Sequence, residues 1–109
     1  MMTVKELSEK YSLKAASMPE PDREISGGYI GDLLSWVMGR AQADNAWITI
    51  MTNVNIAAVG ALSDVAVIII AEGAVPDINV IETAEEKGIN ILLTDKTAYE
   101  IAVLISADI

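Results

Sequence analysis

The chain contains no cysteine, no histidine and no phenylalanine, and its aromatic residues are two Trp and three Tyr. Without Cys or His there is no disulfide, no zinc–thiolate site, no iron–sulfur cluster, no cysteine nucleophile and no histidine base for a serine triad. So few aromatic rings leave little material for the stacking platform that holds single-stranded nucleic acid. Positive charge is scarce as well: seven Lys and Arg face 16 Asp and Glu, for a formal net charge of −9. Lys5, Lys10, Lys14, Arg23, Arg40, Lys87 and Lys96 are scattered singly. No stretch therefore supplies the basic face that nucleic acid or an anionic membrane surface requires, and the acidity is read as solubility. Long apolar runs are missing. The longest, Val65–Ala71, falls well short of the roughly 18 residues of a membrane span. The opening Met1-Met2-Thr3-Val4-Lys5-Glu6 lacks the apolar core of a signal peptide. The expectation is a cytoplasmic protein.

What is present is apolar and aliphatic. Over half of the 109 residues, 52%, are hydrophobic, which is ample for one core and excludes disorder. One domain spanning residues 1–109 is expected. Thr3-Val4-Lys5-Glu6 has the form of a capping box and predicts a helix over about 3–10. Leu13–Ser17 reads as a short strand, followed by a turn around Pro19 and Pro21, and Ile25–Ile30 as extended chain containing Gly27-Gly28. Leu33, Leu34, Val37, Met38 and Ala41 form one helical face, with Asp32 placed to cap its start. Trp47–Met51 predicts a strand, and Asn53 or Asn55 caps a helix carrying Ile56, Val59 and Leu62. Val65–Ala71 has no polar alternation, which predicts a central strand buried on both faces. Pro76 opens a helix near its first turn, Ile78, Ile81 and Ala84–Glu85 mark its buried boundary, and Gly88 ends it. Asn90–Leu93 is a strand, Thr97-Ala98-Tyr99-Glu100 a second capping box, and Ala98, Ile101, Ala102 and Ile105 one face of a closing helix.

From Trp47 onward strands and helices alternate with short connections. Such alternation implies βαβ crossovers, hence an α/β fold of three layers with a mainly parallel central sheet flanked by helices. Ligands in open α/β sheets lie beyond the carboxyl ends of the strands. Three junctions fall there: Thr52-Asn53-Val54-Asn55, Glu72-Gly73-Ala74 and Thr94-Asp95-Lys96-Thr97. Each residue has a plainer role too, since Asn53, Asn55 and Thr97 suit helix caps and Gly73 suits a turn. Gly27-Gly28 is not a phosphate loop, because neither the Gly spacing nor the Lys of such a loop is present. A bend in an extended segment explains the pair on its residues alone. Asp22 with Glu24, and Glu85 with Glu86, sit in hydrophilic contexts that give no reason for proton chemistry at neutral pH.

The segment Asp22-Arg23-Glu24-Ile25-Ser26-Gly27-Gly28-Tyr29-Ile30-Gly31-Asp32-Leu33 resembles the opening of DRTGG domains. It is also similar to the N-terminal, non-catalytic domain of HPr kinase/phosphorylase. Trp47-Ile48-Thr49-Ile50 with Asn53-Val54-Asn55-Ile56, then Ile68-Ile69-Ile70-Ala71-Glu72-Gly73-Ala74-Val75-Pro76, then Ala84–Leu92 with Thr94-Asp95, continue the resemblance over essentially the whole chain. Two departures stand out. The family's Asp-Arg pair after the strand is Asn53-Val54 here, and the first Gly of its Gly-Gly turn is Glu72. The missing arginine removes a natural phosphate ligand, and Glu72 adds negative charge to the same edge.

The resemblance implies regulation and no catalysis: an accessory domain that senses an adenine nucleotide or similar small ligand at the strand carboxyl ends or at a dimer interface. Its candidate ligand-binding positions are Gly27, Gly28, Asn53, Asn55, Glu72, Gly73, Thr94 and Asp95, with no catalytic and no metal-binding residue. Free-standing relatives near iron-only hydrogenase genes of anaerobic bacteria imply an accessory role in redox metabolism, with a redox enzyme or another protein as partner. The alternative is an interaction or assembly module with no small-molecule ligand. A homodimer is expected in either case, because a chain of this size has too much surface to hide every apolar side chain, and its mean hydropathy is +0.40. Trp36, Trp47, Tyr29 and Ile101–Ile109 are the candidate contact surface. Light scattering at micromolar concentration is expected to give twice the 11.6 kDa chain mass. A mass that stays at one chain on concentration would remove the dimer.

Overall fold

The computed structural model describes residues 1–109 as five helices around a five-stranded sheet. In chain order the elements are α1 (Val4–Lys10), β1 (Lys14–Ser17), β2 (Gly28–Ile30), α2 (Leu34–Arg40), β3 (Ala46–Thr49), α3 (Asn55–Ser63), β4 (Val67–Ile70), α4 (Ile78–Lys87), β5 (Ile91–Leu93) and α5 (Ala98–Ile105). The sheet order is β1-β5-β4-β3-β2. Strands β2 to β5 pair in parallel and β1 runs antiparallel along the outer side of β5. No helix is long and apolar enough to cross a membrane.

Strand β4 is the centre of the structure, as its unbroken apolar run predicts. Every residue from Val65 to Ala71 is buried. The two-residue period of a strand splits them between two cores. Val67 and Ile69 join Val4 and Leu7 of α1 and Ile101 and Ile105 of α5 on one face. Ile68 and Ile70 join Val37 of α2, Ile56 and Val59 of α3, and Val80 and Ala84 of α4 on the other. The result is the three-layer α/β arrangement that the alternation implies.

Local chemistry starts and stops the helices. Both capping boxes are present: Thr3 accepts from the Glu6 amide at 3.2 Å and Thr97 from the Glu100 amide at 3.1 Å, while each glutamate accepts from the cap's own amide. Those donors hold the Glu6 and Glu100 carboxyls below the usual carboxylate range, chiefly through the backbone amide each accepts. Gly88 closes α4 in the left-handed region at φ 74°.

Several local expectations are corrected. Asp32 does not cap α2. Its carboxylate accepts from the Thr49 hydroxyl at 2.7 Å and the Ile50 amide at 2.9 Å, so it ties the β2–α2 loop to the end of β3, and α2 starts without a side-chain cap. Leu33 and Met38 stand exposed beside the buried Val37. Neither Asn53 nor Asn55 caps α3: Val54 holds the cap position with no side-chain cap bond, and Asn53 shapes the turn before it, its side-chain oxygen accepting from the Asn55 amide at 2.9 Å. Pro76 lies before the Asp77 cap position of α4 instead of inside its first turn. Ile78 is exposed, and Val80 takes the buried position on that helix. A shift of two residues is a little over half a helical turn, which reverses which residue faces the sheet. Trp47 is fully buried, and its ring nitrogen donates to the Gly31 carbonyl at 2.9 Å, so it is core and not contact surface.

Two polar clusters tie distant parts of the chain together. Asn90, 1% exposed, donates to the carbonyls of Glu20 at 2.8 Å and Ala66 at 3.0 Å and accepts from the Glu20 amide at 3.0 Å. Replacing Asn90 with Ala leaves buried backbone groups without partners, and urea denaturation is expected to show a loss of about 1–3 kcal/mol. At the other end of the chain, Lys10 Nζ lies 2.9 Å from Asp108, and the Tyr11 hydroxyl donates to the same carboxylate. The hydrogen bond from Tyr11, then that from Lys10, hold the Asp108 carboxyl below its ordinary value. The bond to Asp108 in turn raises both Lys10 and Tyr11. A depressed carboxyl stabilises above the ordinary carboxylate range and loses that contribution as pH falls through its folded value. A raised Lys or Tyr stabilises below its ordinary range and loses that contribution as pH rises through its folded value. The melting temperature of the wild type is thus expected to fall at both acid and alkaline extremes more than that of Asp108→Asn. Parallel pH profiles of the two proteins would contradict the assignment.

Candidate functional site

The parallel strands all point their carboxyl ends to one edge of the sheet, and the direction in which the chain leaves each strand decides what opens there. From β2, β3 and β4 it crosses to helices α2, α3 and α4 on one face, whereas from β5 it crosses to α5 on the opposite face. Strands β4 and β5 are neighbours. Their outgoing loops lead to helices on opposite faces, at the carboxyl edge of the sheet where ligands of α/β proteins sit.

A cleft of about 400 Å³ lies at this divide. The β4–α4 loop contributes Gly73, Ala74 and Val75, and the end of β5 contributes Leu93, Thr94, Asp95 and Lys96. The third wall, Tyr11, Ser12 and Lys14, comes from the turn between α1 and β1. Lys14 pairs with Leu93 in the antiparallel β1–β5 ladder, which brings Ser12 alongside the loop that follows β5.

Backbone contacts hold the two loops together. The Glu72 amide donates to the Lys96 carbonyl at 2.8 Å and the Gly73 amide to the Thr94 carbonyl at 3.0 Å. Glu72 and Gly73 are both left-handed, at φ 63° and 72°, and Ser12 across the cleft has φ 54°. For a non-glycine residue this region is costly, and it persists where surrounding contacts over-determine it. At Glu72 a further contact contributes: its carboxylate accepts from the Ala98 amide at 3.3 Å, at the start of α5. At Gly73 a β-carbon would meet the Asp95 carboxylate at 3.2 Å, so glycine serves both the turn and the close approach.

The candidate positions named from sequence divide into three groups. Gly73, Thr94 and Asp95 line the cleft, with Glu72 adjoining it. Asn53 and Asn55 lie on the neighbouring β3–α3 loop, exposed and outside the cleft lining. Gly27 and Gly28 lie at the opposite, amino edge of the sheet, where Gly27 bends the chain at φ 71° into β2. They border a separate, mostly apolar groove of about 240 Å³ between β2 and α5. Lys96 belongs to the Thr94–Thr97 junction named from sequence, whereas Tyr11, Ser12 and Lys14 are site residues that sequence reasoning did not single out.

The electrostatics of the cleft differ from those of the whole chain. Lys10 and Arg23 are held in ion pairs, and Arg40 stacks 3.7 Å from the Trp36 ring centroid. Lys14 and Lys96 have no carboxylate within 4.0 Å, and both line this one cleft. A strongly acidic chain thus presents two unpaired ammonium groups beside two hydroxyls, Ser12 and Thr94, and one carboxylate, Asp95. No group of His, Cys, Asp and Glu side chains is arranged to hold a metal ion.

No protein-family model and no curated protein matches the sequence. Among solved structures, the chain is similar to the CBS and DRTGG domains of the regulatory region of Clostridium perfringens pyrophosphatase, complexed with the activator diadenosine tetraphosphate. The TM-score is 0.73 at 17% sequence identity, over 94% of this chain and 45% of that one. This chain therefore spans less than half the length of its structural neighbour. The likeness is one of fold and takes in nearly all of this chain, which has a DRTGG-like fold.

Proposed function

We propose that this chain is a non-catalytic regulatory domain that senses a small phosphate-bearing ligand, an adenine nucleotide, in the cleft above β4 and β5. One observation carries the reading: in a chain of net charge −9, two lysines without a carboxylate partner, Lys14 and Lys96, converge on one cleft at the carboxyl edge of the parallel strands. That is where an α/β sheet accommodates ligands, and ammonium groups there complement phosphate. The structural neighbour supports the class of ligand, since its regulatory region is complexed with an adenine dinucleotide activator. The lining contains no nucleophile paired with a base, so the ligand is bound and released unchanged.

A second reading, a partner-docking role, is favoured by the surface at the outer end of β2. Ile30, Leu33, Trp36 and Ile50 are each roughly half exposed there, around the loop that Asp32 fastens to Ile50. Exposed apolar side chains beside the open sheet edge at β2 suit a second copy of the chain or a redox-enzyme partner. The two readings are compatible, because this surface is separate from the cleft.

A thermal-shift series with adenine nucleotides and dinucleotides at millimolar concentration tests the ligand-sensing reading. A ligand at 100 times its dissociation constant adds about 2.7 kcal/mol, which moves the melting temperature of a domain this size by several degrees. The double variant Lys14→Gln/Lys96→Gln is expected to lose most of that shift while melting normally without ligand. ATP incubated with the pure protein is expected to be recovered intact. The absence of any shift across the series would sink the reading.

A further inference from the structure

We propose that the cleft is built for a ribonucleotide and not for bare polyphosphate, with Asp95 accepting hydrogen bonds from the ribose hydroxyls while Lys14 and Lys96 face the phosphates. The inference rests on the ligand-sensing reading above and adds which part of the ligand each wall meets.

Its starting point is the presence of both charge signs in one cleft. A site for phosphate alone is served by cations and amide donors, and a carboxylate in it repels the ligand. Asp95 nonetheless lines the cleft. No Lys, Arg or amino terminus lies within 4.0 Å of it, and its side chain accepts no hydrogen bond within the protein. An ionised carboxylate can only accept, so a ligand that fits must bring neutral or positive donors as well as negative charge. Gly73 contributes to this placement. Lacking a β-carbon, it lets the Asp95 carboxylate stand close against the β4–α4 loop, 3.2 Å from where that carbon would be.

Size narrows the choice. A zwitterion such as a free amino acid carries both signs but would leave most of a cleft of about 400 Å³ empty, whereas this volume lies in the range of about 300–1,000 Å³ in which drug-sized ligands and cofactors bind. A ribonucleotide carries phosphates at one end, a vicinal diol in the middle and a flat base at the other. Aspartate on ribose hydroxyls is a recurrent solution in α/β sheets. The cleft also offers an apolar wall for the base in Ala74, Val75 and Leu93. Beside it stands the Tyr11 ring, whose hydroxyl is tethered to Asp108 and lies 2.9 Å from the Leu104 carbonyl oxygen. A ring held at its far end loses little freedom when a base packs on it.

Isothermal titration calorimetry with ATP, 2′,3′-dideoxy-ATP and inorganic tripolyphosphate, on wild type and Asp95→Asn, tests the inference. Asp95 is exposed on a loop, so the variant is expected to melt like wild type. Wild type should bind ATP about tenfold or more tightly than dideoxy-ATP, as expected for losing hydrogen bonds to a charged acceptor. Asp95→Asn should bind ATP more weakly and no longer separate the two. An Asp95→Asn protein that keeps the full discrimination overturns the role of Asp95 but leaves ligand sensing intact. So does tripolyphosphate binding as tightly as ATP and tightening further in the variant, the behaviour of a phosphate site with a repelling wall. Failure of wild type to bind all three probes at millimolar concentration removes the ligand-sensing reading and this inference with it.

Discussion

Burial of β4 on both faces is the constraint on which the rest of the molecule depends. A strand whose every side chain is apolar must be covered twice, and the chain is short, so each cover is made from a few small helices. One comprises α2, α3 and α4, which the crossovers between successive parallel strands place on a common face. The other comprises α1 and α5, from the two ends of the chain. Neither α1 nor α5 connects two parallel strands, so their positions are set by the apolar face left to be covered. The cluster of Lys10, Tyr11 and Asp108 fastens the two ends to each other on that side.

The cleft is a consequence of the same arrangement. Had the chain left β5 toward the face it uses after β4, the two loops would run side by side and close the edge. Because α5 is needed to cover the opposite core, the chain goes on to opposite faces beyond the backbone contacts that join the two loops, and the cleft opens beside them. The antiparallel pairing of β1 then adds a third wall, which supplies Ser12 and Lys14. Left-handed backbone at Ser12, Glu72 and Gly73 marks the rim of this cleft. The other non-glycine residues with positive φ, Asp44 and Asp64, flank Arg23, which donates to both of their carboxylates. Burial pulls the Arg23 guanidinium down, and its hydrogen bonds to Asp64 and Asp44 outweigh that, leaving it above its ordinary value. Strain at one edge is offset by ion pairing. At the cleft it is held by loop-to-loop backbone contacts and by the Glu72 carboxylate on the first turn of α5.

Glu72 illustrates how a departure from a family pattern changes the role of an edge. From sequence, its charge at this edge reads as a simple deterrent to phosphate. In the structure its carboxylate is turned onto the Ala98 amide, where the partial positive charge of a helix start favours it. It faces the start of α5 and leaves Lys96, on the adjacent β5–α5 loop, without a carboxylate partner.

By itself, the sequence determined the class of fold and the main supports of its elements, because those follow from short-range rules. Thr3 and Thr97 cap the helices they precede, Gly88 ends α4, and Val65–Ala71 lies in the middle of the sheet. Each depends on neighbours within a few residues or on a hydrophobic period. Of the site, Gly73, Thr94 and Asp95 were legible, since any residue just after a parallel strand falls at the carboxyl edge. Tertiary structure alone decided the rest. Asp32 has the right composition for a cap, but the amide and hydroxyl beyond β3 compete for its carboxylate. Gly27 and Gly28 belong to the opposite edge because β2 begins at Gly28, and the direction of one short strand carries little local signal. Lys14 and Lys96 are far apart along the chain and look like any surface lysines. Only the pairing of β1 with β5, a long-range choice about which strand fills the last place in the sheet, brings them to one cleft.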